Sequence, residues 1–497
     1  MKSLPLPLDL VVGGVLPLLA ARCIARSVCR DAAADLPPCV DDATLLRGDA
    51  VRWAAEVGGL RERGPAATRA FAGAGLMDEL RDAVAAGCRM DKATCAAAAR
   101  SGHLEVLRWL RAEGCAWDEN TCSMTALKGH LAVLQWARSE GCPWDEETCW
   151  RAAFGGHLEV LKWARSEGCP WDEETCSMAP HCGHLEVLQW LRQEGCPWDD
   201  WTTSEAARCG HLEILKWAHE EGCPSVKRAC AYAARGGHLE VLRWLRQAGC
   251  PWDGDTCSCA ASIGRLDMLV WARSEGCPWD AWTCTRAAEG GHFELLRFAR
   301  AQGCPWDEYT CAYAAAGGHL EVLQWLRAEG CPWDDNTCAY AARLGRLDML
   351  RWARREGCPW SAATCTYAAQ GGFLEMLQFA RQEGCPWDVN TCAGAALGGH
   401  PGVLEWARGA GCPWDEQTCA GAARTGRLDI LQRAHREGCP WDARTCSMAA
   451  AGGFLEVLQF ARQRGCPWDE QTCRNAAFRG HREVLEWARA RGCPTAL

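Results

Sequence analysis

The chain has 497 residues, 48% of them hydrophobic and 23% charged, with a formal net charge of -10. This composition fits a folded, soluble, intracellular protein of the cytoplasm. It supplies no basic face to neutralise phosphates, so nucleic acid is excluded as a partner, and no apolar run reaches the roughly 18 residues of a membrane span.

Residues 1–65 come first and stand apart from the rest of the chain. The opening "MKSLPLPLDLVVGGVLPLLAARC" has the basic start of a secretory leader at Lys2, but Asp9 splits its apolar run and Pro5, Pro7 and Pro17 interrupt it, which argues against secretion. The stretch Leu6 to Arg30, "LPLDLVVGGVLPLLAARCIARSVCR", resembles an F-box in the order of Pro7, Asp9, Leu10, Leu16 and the closing Val28-Cys29-Arg30. That resemblance implies docking on the Skp-type adaptor of a cullin-RING ubiquitin ligase, with Leu10 and Leu16 on the adaptor-binding face. Two features depart from the family: Gly13-Gly14 falls inside what would be its first helix, and no aromatic follows the Val-Cys-Arg ending. The alternative reading is an apolar helix that caps the open end of the array behind it.

From about residue 66 the chain repeats itself. A Gly-Cys pair recurs sixteen times, from Gly87-Cys88 to Gly492-Cys493, always 27 residues on and with no insertion or deletion. Length alone suggests about three or four globular domains. A fixed period of this size predicts instead one elongated repeat domain over 66–497, in which each unit covers its neighbour's apolar face.

Asp145 to Cys169 shows the pattern within a unit. Asp145 is a helix N-cap, and Glu146 and Glu147 follow in the first turn, where the helix dipole favours negative charge. A short first helix runs through Cys149, Ala152 and Ala153 until Gly155-Gly156 ends it. Leu158, Leu161 and Ala164, widened by Val160 and Trp163, predict an amphipathic second helix to about Glu167. Gly168 closes it, Pro170 cannot continue it, and Trp171 leads into the next Asp cap.

Ordering some 27 residues costs on the order of 40 kcal/mol, more than two short helices recover alone, so the units must stack. Most units carry two tryptophans, one in the second helix (Trp109, Trp136, Trp163) and one after Gly-Cys (Trp117, Trp144, Trp171). Each buries up to about 150 to 250 Å², which makes them inter-repeat mortar first and an aromatic ligand cage second.

The segment "AARSGHLEVLRWLRAEGC", Ala98 to Cys115, resembles the second half of an ankyrin repeat, and the resemblance covers the array. Ankyrin units are longer, and what is missing here is the β-hairpin finger, in whose place stands "CPWDEET". The resemblance therefore implies an all-α solenoid of about sixteen helix-turn-helix repeats without fingers. This Gly-Cys-Pro-Trp form is similar to arrays of unicellular algae and large DNA viruses of protists.

Of 36 cysteines, thirty are periodic: sixteen follow Gly, and fourteen occupy the Thr-Cys position, where Thr203 is the exception. Cys115 and Cys122 are too widely spaced for an ordinary zinc knuckle. Equivalent cysteines of successive units should sit about 8 to 10 Å apart, too far for disulfides. Buried reduced thiols are the expectation, with a metal or redox sensor as the remaining alternative. Ten of thirteen histidines occupy the Gly-His turn, where repetition argues for turn-stabilising hydrogen bonds rather than catalysis. No nucleophile triad, phosphate loop or metalloprotease helix occurs, so neither an enzyme nor a cofactor is expected.

Function should lie in the positions that do not repeat. Two residues after the Thr-Cys cysteine the units read Arg151, Met178, Glu205, Tyr232, Arg286, Tyr313, Tyr340, Tyr367 and Asn475. Three residues further on they read Phe154, His181, Arg208, Arg235, Glu289, Arg343, Gln370 and Phe478. An i, i+3 pair shares a helix face, so stacking predicts a stripe, and Tyr and Arg favour binding hot spots. The expected function is a scaffold that binds an unidentified partner protein through Arg151, Glu205, Tyr232, Arg286, Tyr313, Tyr340, Tyr367, Arg208, Arg235 and Arg343. A ubiquitin-ligase substrate receptor is the alternative.

Overall fold

The computed structural model describes residues 64–223 and 228–494. They form an all-α helical-repeat solenoid whose contacts divide into two units, Met1–Pro251 and Trp252–Leu497. The described part of the first unit holds seven helix pairs, from Gly64–Ala74 with Met77–Ala85 to Ala229–Gly236 with Leu239–Gln247. The second holds nine, from Gly254–Ser262 with Leu266–Ser274 to Glu470–Phe478 with Arg482–Ala490. Each pair ends at one of the sixteen Gly-Cys steps, and no strand occurs among the described residues.

Local chemistry sets the helix ends. In the pair Glu146–Gly155 and Leu158–Ser166, Asp145 Oδ1 accepts from the backbone N–H of Glu147 at 3.2 Å. At Asp91, Asp172 and Asp307 the cap becomes a full capping box with the threonine three residues on, which gives the Thr of Thr-Cys a use. Gly156 stops the first helix at φ 74°, a left-handed conformation that lets His157 N–H reach back to Ala152 O at 2.9 Å.

The two helices of a pair have different jobs in packing. First helices are built of Ala, Cys, Thr and Ser, as in Glu308–Gly317, and these small side chains let successive first helices of a unit lie in close contact. Second helices, such as Leu320–Ala328, carry the bulk of the core: Leu323 and Leu326 are fully buried. Thr310, Cys311, Ala314 and Ala315 of the first helix and Cys331 at the close complete that layer.

Each pair is tied shut by the same set of contacts. Cys169 Sγ donates to Asp145 O at 3.4 Å, joining the end of a pair to its beginning. Arg165 donates to Cys169 O at 3.1 Å while its guanidinium lies 4.1 Å from the Trp171 ring. Trp171 in turn meets Trp190 of the next pair edge to face at 5.9 Å. Contacts of these kinds contribute about 0.5 to 2 kcal/mol each, and they recur along both units. The tryptophans are mortar, with arginine stacked on them.

The Gly-His histidines act between pairs, not within their own turn. His157 Nε2 donates to Leu127 O, the last carbonyl of the preceding first helix, at 3.2 Å, and its ring lies on Gly129 so closely that a Cβ there would sit 2.5 Å from Nδ1. His292 and His481 make the same bond to Ser262 O and Ala451 O. Burial pushes the His157 imidazole below its ordinary value of 6.5, against the opposing pull of its carbonyl partner. The folded form therefore resists protonation, so its stabilisation is complete above about pH 6.5 and declines as pH falls through the lower folded value. We expect His157→Phe, which copies the native Phe373 and Phe454, to flatten the fall in melting temperature between about pH 7 and 5. Melts of both proteins across that range check it.

Within a pair the thiols approach each other, as where Cys176 Sγ donates to Cys196 O at 3.8 Å. The close partner of a Thr-Cys cysteine is the Gly-Cys cysteine of its own pair, twenty residues on, as in Cys149 with Cys169 and Cys338 with Cys358. Hydrogen bonding to that partner, then burial, pushes the Cys149 thiol far up, and Cys338 behaves alike. Protonated, buried thiols are poor nucleophiles. Brief alkylation of the native protein should therefore label exposed Cys182 before any of the thirty periodic cysteines, as peptide mapping would read.

Candidate functional site

The variable positions do share the first-helix face within each unit, but they are not all free surface. In the first unit Arg151 pairs with Glu147 at 2.9 Å and stacks beside Trp150 at 4.9 Å. Glu205 is buried and ion-paired to Arg208 at 2.6 Å. Tyr232 is half-buried with its ring 6.1 Å from Trp201, and Arg235 is exposed.

In the second unit the face is aromatic. Arg286 pairs with Glu289 at 2.6 Å, and its guanidinium lies 5.3 Å from the Trp282 ring and 5.8 Å from that of Tyr313. Tyr313 meets Tyr340 edge to face at 6.1 Å, and Tyr340 and Tyr367 pack against the core. Burial, then the neighbouring tyrosines, raises the Tyr340 phenol. The three tyrosines are thus half-buried rungs of a ladder, not projecting side chains. Arg343 is exposed beside them.

A third register was missed in the sequence. It lies four residues before the first, one helical turn away on the same face, and carries Trp201, Trp282 and Tyr309, which are 51%, 44% and 46% exposed. Its signal was present: these positions vary between units as the two quoted registers do, but they fall in the first turn, among the residues that cap the helix.

Beyond Tyr367 the ladder stops because the next two rungs are Gly394 and Gly421. Their missing side chains leave a cleft of about 290 Å³, with Thr366, Gln370, Asn390 and Gln417 on its walls and Arg424 and Arg444 at its rim. Arg444 is held by Asp442 at 2.8 Å and Glu416 at 2.9 Å, and Arg424 is exposed. Phe478, at 84%, is the most exposed large apolar side chain described. Leu10 and Leu16, the expected adaptor contacts, lie outside the described residues. No described helix is long and apolar enough to cross a membrane.

No family model matches the chain, and no curated protein does. Similar solved structures include the pentatricopeptide repeat protein PPR10 in complex with an 18-nt psaJ RNA element, at 16% identity over 97% of this chain and 93% of that one, with a TM-score of 0.32. PPR10 from maize matches at 15% identity over 99% and 92%, with a TM-score of 0.30. The human ASB11 ankyrin repeat domain matches at 14% over 32% of this chain and 84% of that one, with a TM-score of 0.27. The likeness is one of helical repeats, and no residue role is transferred from it. The exclusion of nucleic acid as a partner is corrected: a net charge of -10 summed over the whole chain says nothing of one local face, and the first of these structures holds an 18-nt RNA element.

Proposed function

We propose that the chain is a protein-interaction scaffold of finger-less, ankyrin-like repeats, with residues 66–497 as the binding domain and residues 1–65 as a separate segment. The observation that carries this reading is the first-helix face of the second unit, where exposed Trp282 and Tyr309 border a tyrosine ladder that ends at the cleft over Gly394 and Gly421. Rigid aromatic side chains with few rotamers, next to arginine, are the composition of binding hot spots, and a cleft of this size accepts one large apolar side chain. Arg343 and Arg424 stand exposed beside ladder and cleft, so the fitting partner is a protein segment that sets an acidic residue next to an apolar anchor.

Charge reversal tests it. Full-length protein and the Arg343→Glu, Arg424→Glu double variant are used as baits, and captured proteins are quantified by mass spectrometry. The expected result is a partner enriched by the wild type and lost by the variant at unchanged melting temperature. A partner captured equally by both, or none enriched over a blank support, would refute the reading.

A further inference from the structure

The repeats are their own reference, so a place where several depart from pattern together is a place to look. Two consecutive pairs of the first unit do so: Glu173–His181 with Leu185–Gln193, and Asp200–Cys209 with Leu212–Glu220. Here alone the cysteine of Thr-Cys gives way, in Thr202-Thr203, and the glutamate Glu205 takes the first variable position. The residue before the turn glycine is cysteine in both, Cys182 and Cys209, outside the thirty periodic thiols. His181 is one of only three histidines away from the Gly-His turn.

Folding brings these departures to one point. Glu205 and Cys209 are four apart on one helix, hence on one face, and His181 ends the neighbouring first helix. His181 Nδ1, a Glu205 carboxylate oxygen and Cys209 Sγ all lie within 4.8 Å of one another. His181 Nδ1 is 2.9 Å from Glu205 Oε2. A cation already stands among these donors. The Arg208 guanidinium donates to Glu205 Oε2 at 2.6 Å and to His181 Nδ1 at 2.8 Å. With its proton on Nε2, the imidazole would offer an Nδ1 lone pair to the shared centre, which is the state a metal ligand requires.

We propose that His181, Glu205 and Cys209 form a zinc site that joins two neighbouring repeats, with Arg208 as the counter-cation that holds the ligands when no metal is bound. One imidazole nitrogen, one carboxylate oxygen and one thiolate sulfur suit a borderline divalent ion, and a water completes a tetrahedron. On binding, the ion takes the Nδ1 lone pair, the carboxylate and the Cys209 sulfur. The thiol proton leaves to water, and Arg208, whose side chain is 36% exposed, swings out to solvent. The periodic thiols take no part, since their hydrogen bonds close each pair.

Tag-free full-length protein, stripped with chelator, is titrated with Co²⁺ under reducing conditions and then with Zn²⁺ in competition. We expect one equivalent of Co²⁺ to develop thiolate-to-cobalt charge-transfer absorption, which Zn²⁺ abolishes. His181→Ala and Cys209→Ser should each weaken binding at least about tenfold. Arg208→Gln should bind more tightly than wild type because the competing cation is gone, a gain that a misfolded protein cannot give. Circular dichroism melts without metal confirm that each variant is folded. No thiolate absorption at one equivalent, affinity unchanged in the Cys209 or His181 variant, or an Arg208 variant that binds no more tightly would each overturn the proposal.

Discussion

Replacing Trp282 and Tyr309 together by alanine will reduce partner capture about thirtyfold or more, equivalent to roughly 2 kcal/mol for the loss of a hot spot, while the melting temperature moves little. Both side chains are nearly half exposed, so few core contacts go with them, and the backbone N–H of Trp282 still reaches its cap at Asp280. Tyr313, Tyr340 and Tyr367 make the contrast. Changing those three to alanine removes a half-buried ladder, and both capture and melting temperature should fall. Binding isotherms with the captured partner, read beside melts of the same preparations, separate the two outcomes. Capture unaffected by the Trp282 and Tyr309 double change would move the docking surface off this face.

Leu350→Ala should lower stability by about 3 kcal/mol, within the range for a fully buried leucine that leaves a cavity. Leu350 has no exposed surface and sits in the second helix Leu347–Arg355, between core layers from the pairs on either side. Because each pair is held only by its neighbours, the damage should stay local. Hydrogen exchange should quicken in Asp335–Arg355 and the adjoining pairs while the far end of the unit keeps its protection. Uniform loss of protection across the unit would mean that the stack melts as one cooperative body.

The helix pairs were legible because three independent signals fall on the same residues: the Asp cap, the glycine stop and the apolar stripe of Leu158, Leu161 and Ala164. They place the second helix at Leu158 to about Glu167, and it runs Leu158–Ser166. What depends on distances across the stack was not legible. The histidine bond goes to a carbonyl thirty residues back, and the thiol neighbour lies within a pair rather than between pairs. Periodicity shows which residues are equivalent, not which ones meet. The two variable registers share a helix face as their spacing implies, but the burial of the tyrosines depends on how closely small-residue helices approach. The exposed register of Trp201, Trp282 and Tyr309 was masked by its place in the capping turn.

The edge-to-face tryptophan pairs have an optical consequence. Indole rings separated by 5.8 to 5.9 Å, as in Trp144 with Trp163 and Trp333 with Trp352, pass excitation between them faster than they emit. Within each unit the pairs follow one another at the spacing of stacked helices, so light absorbed by one ring wanders along the row before it leaves. Emission from the folded protein is therefore strongly depolarised, and its anisotropy rises where the row is broken, which makes the chain its own gauge of how many repeats remain stacked.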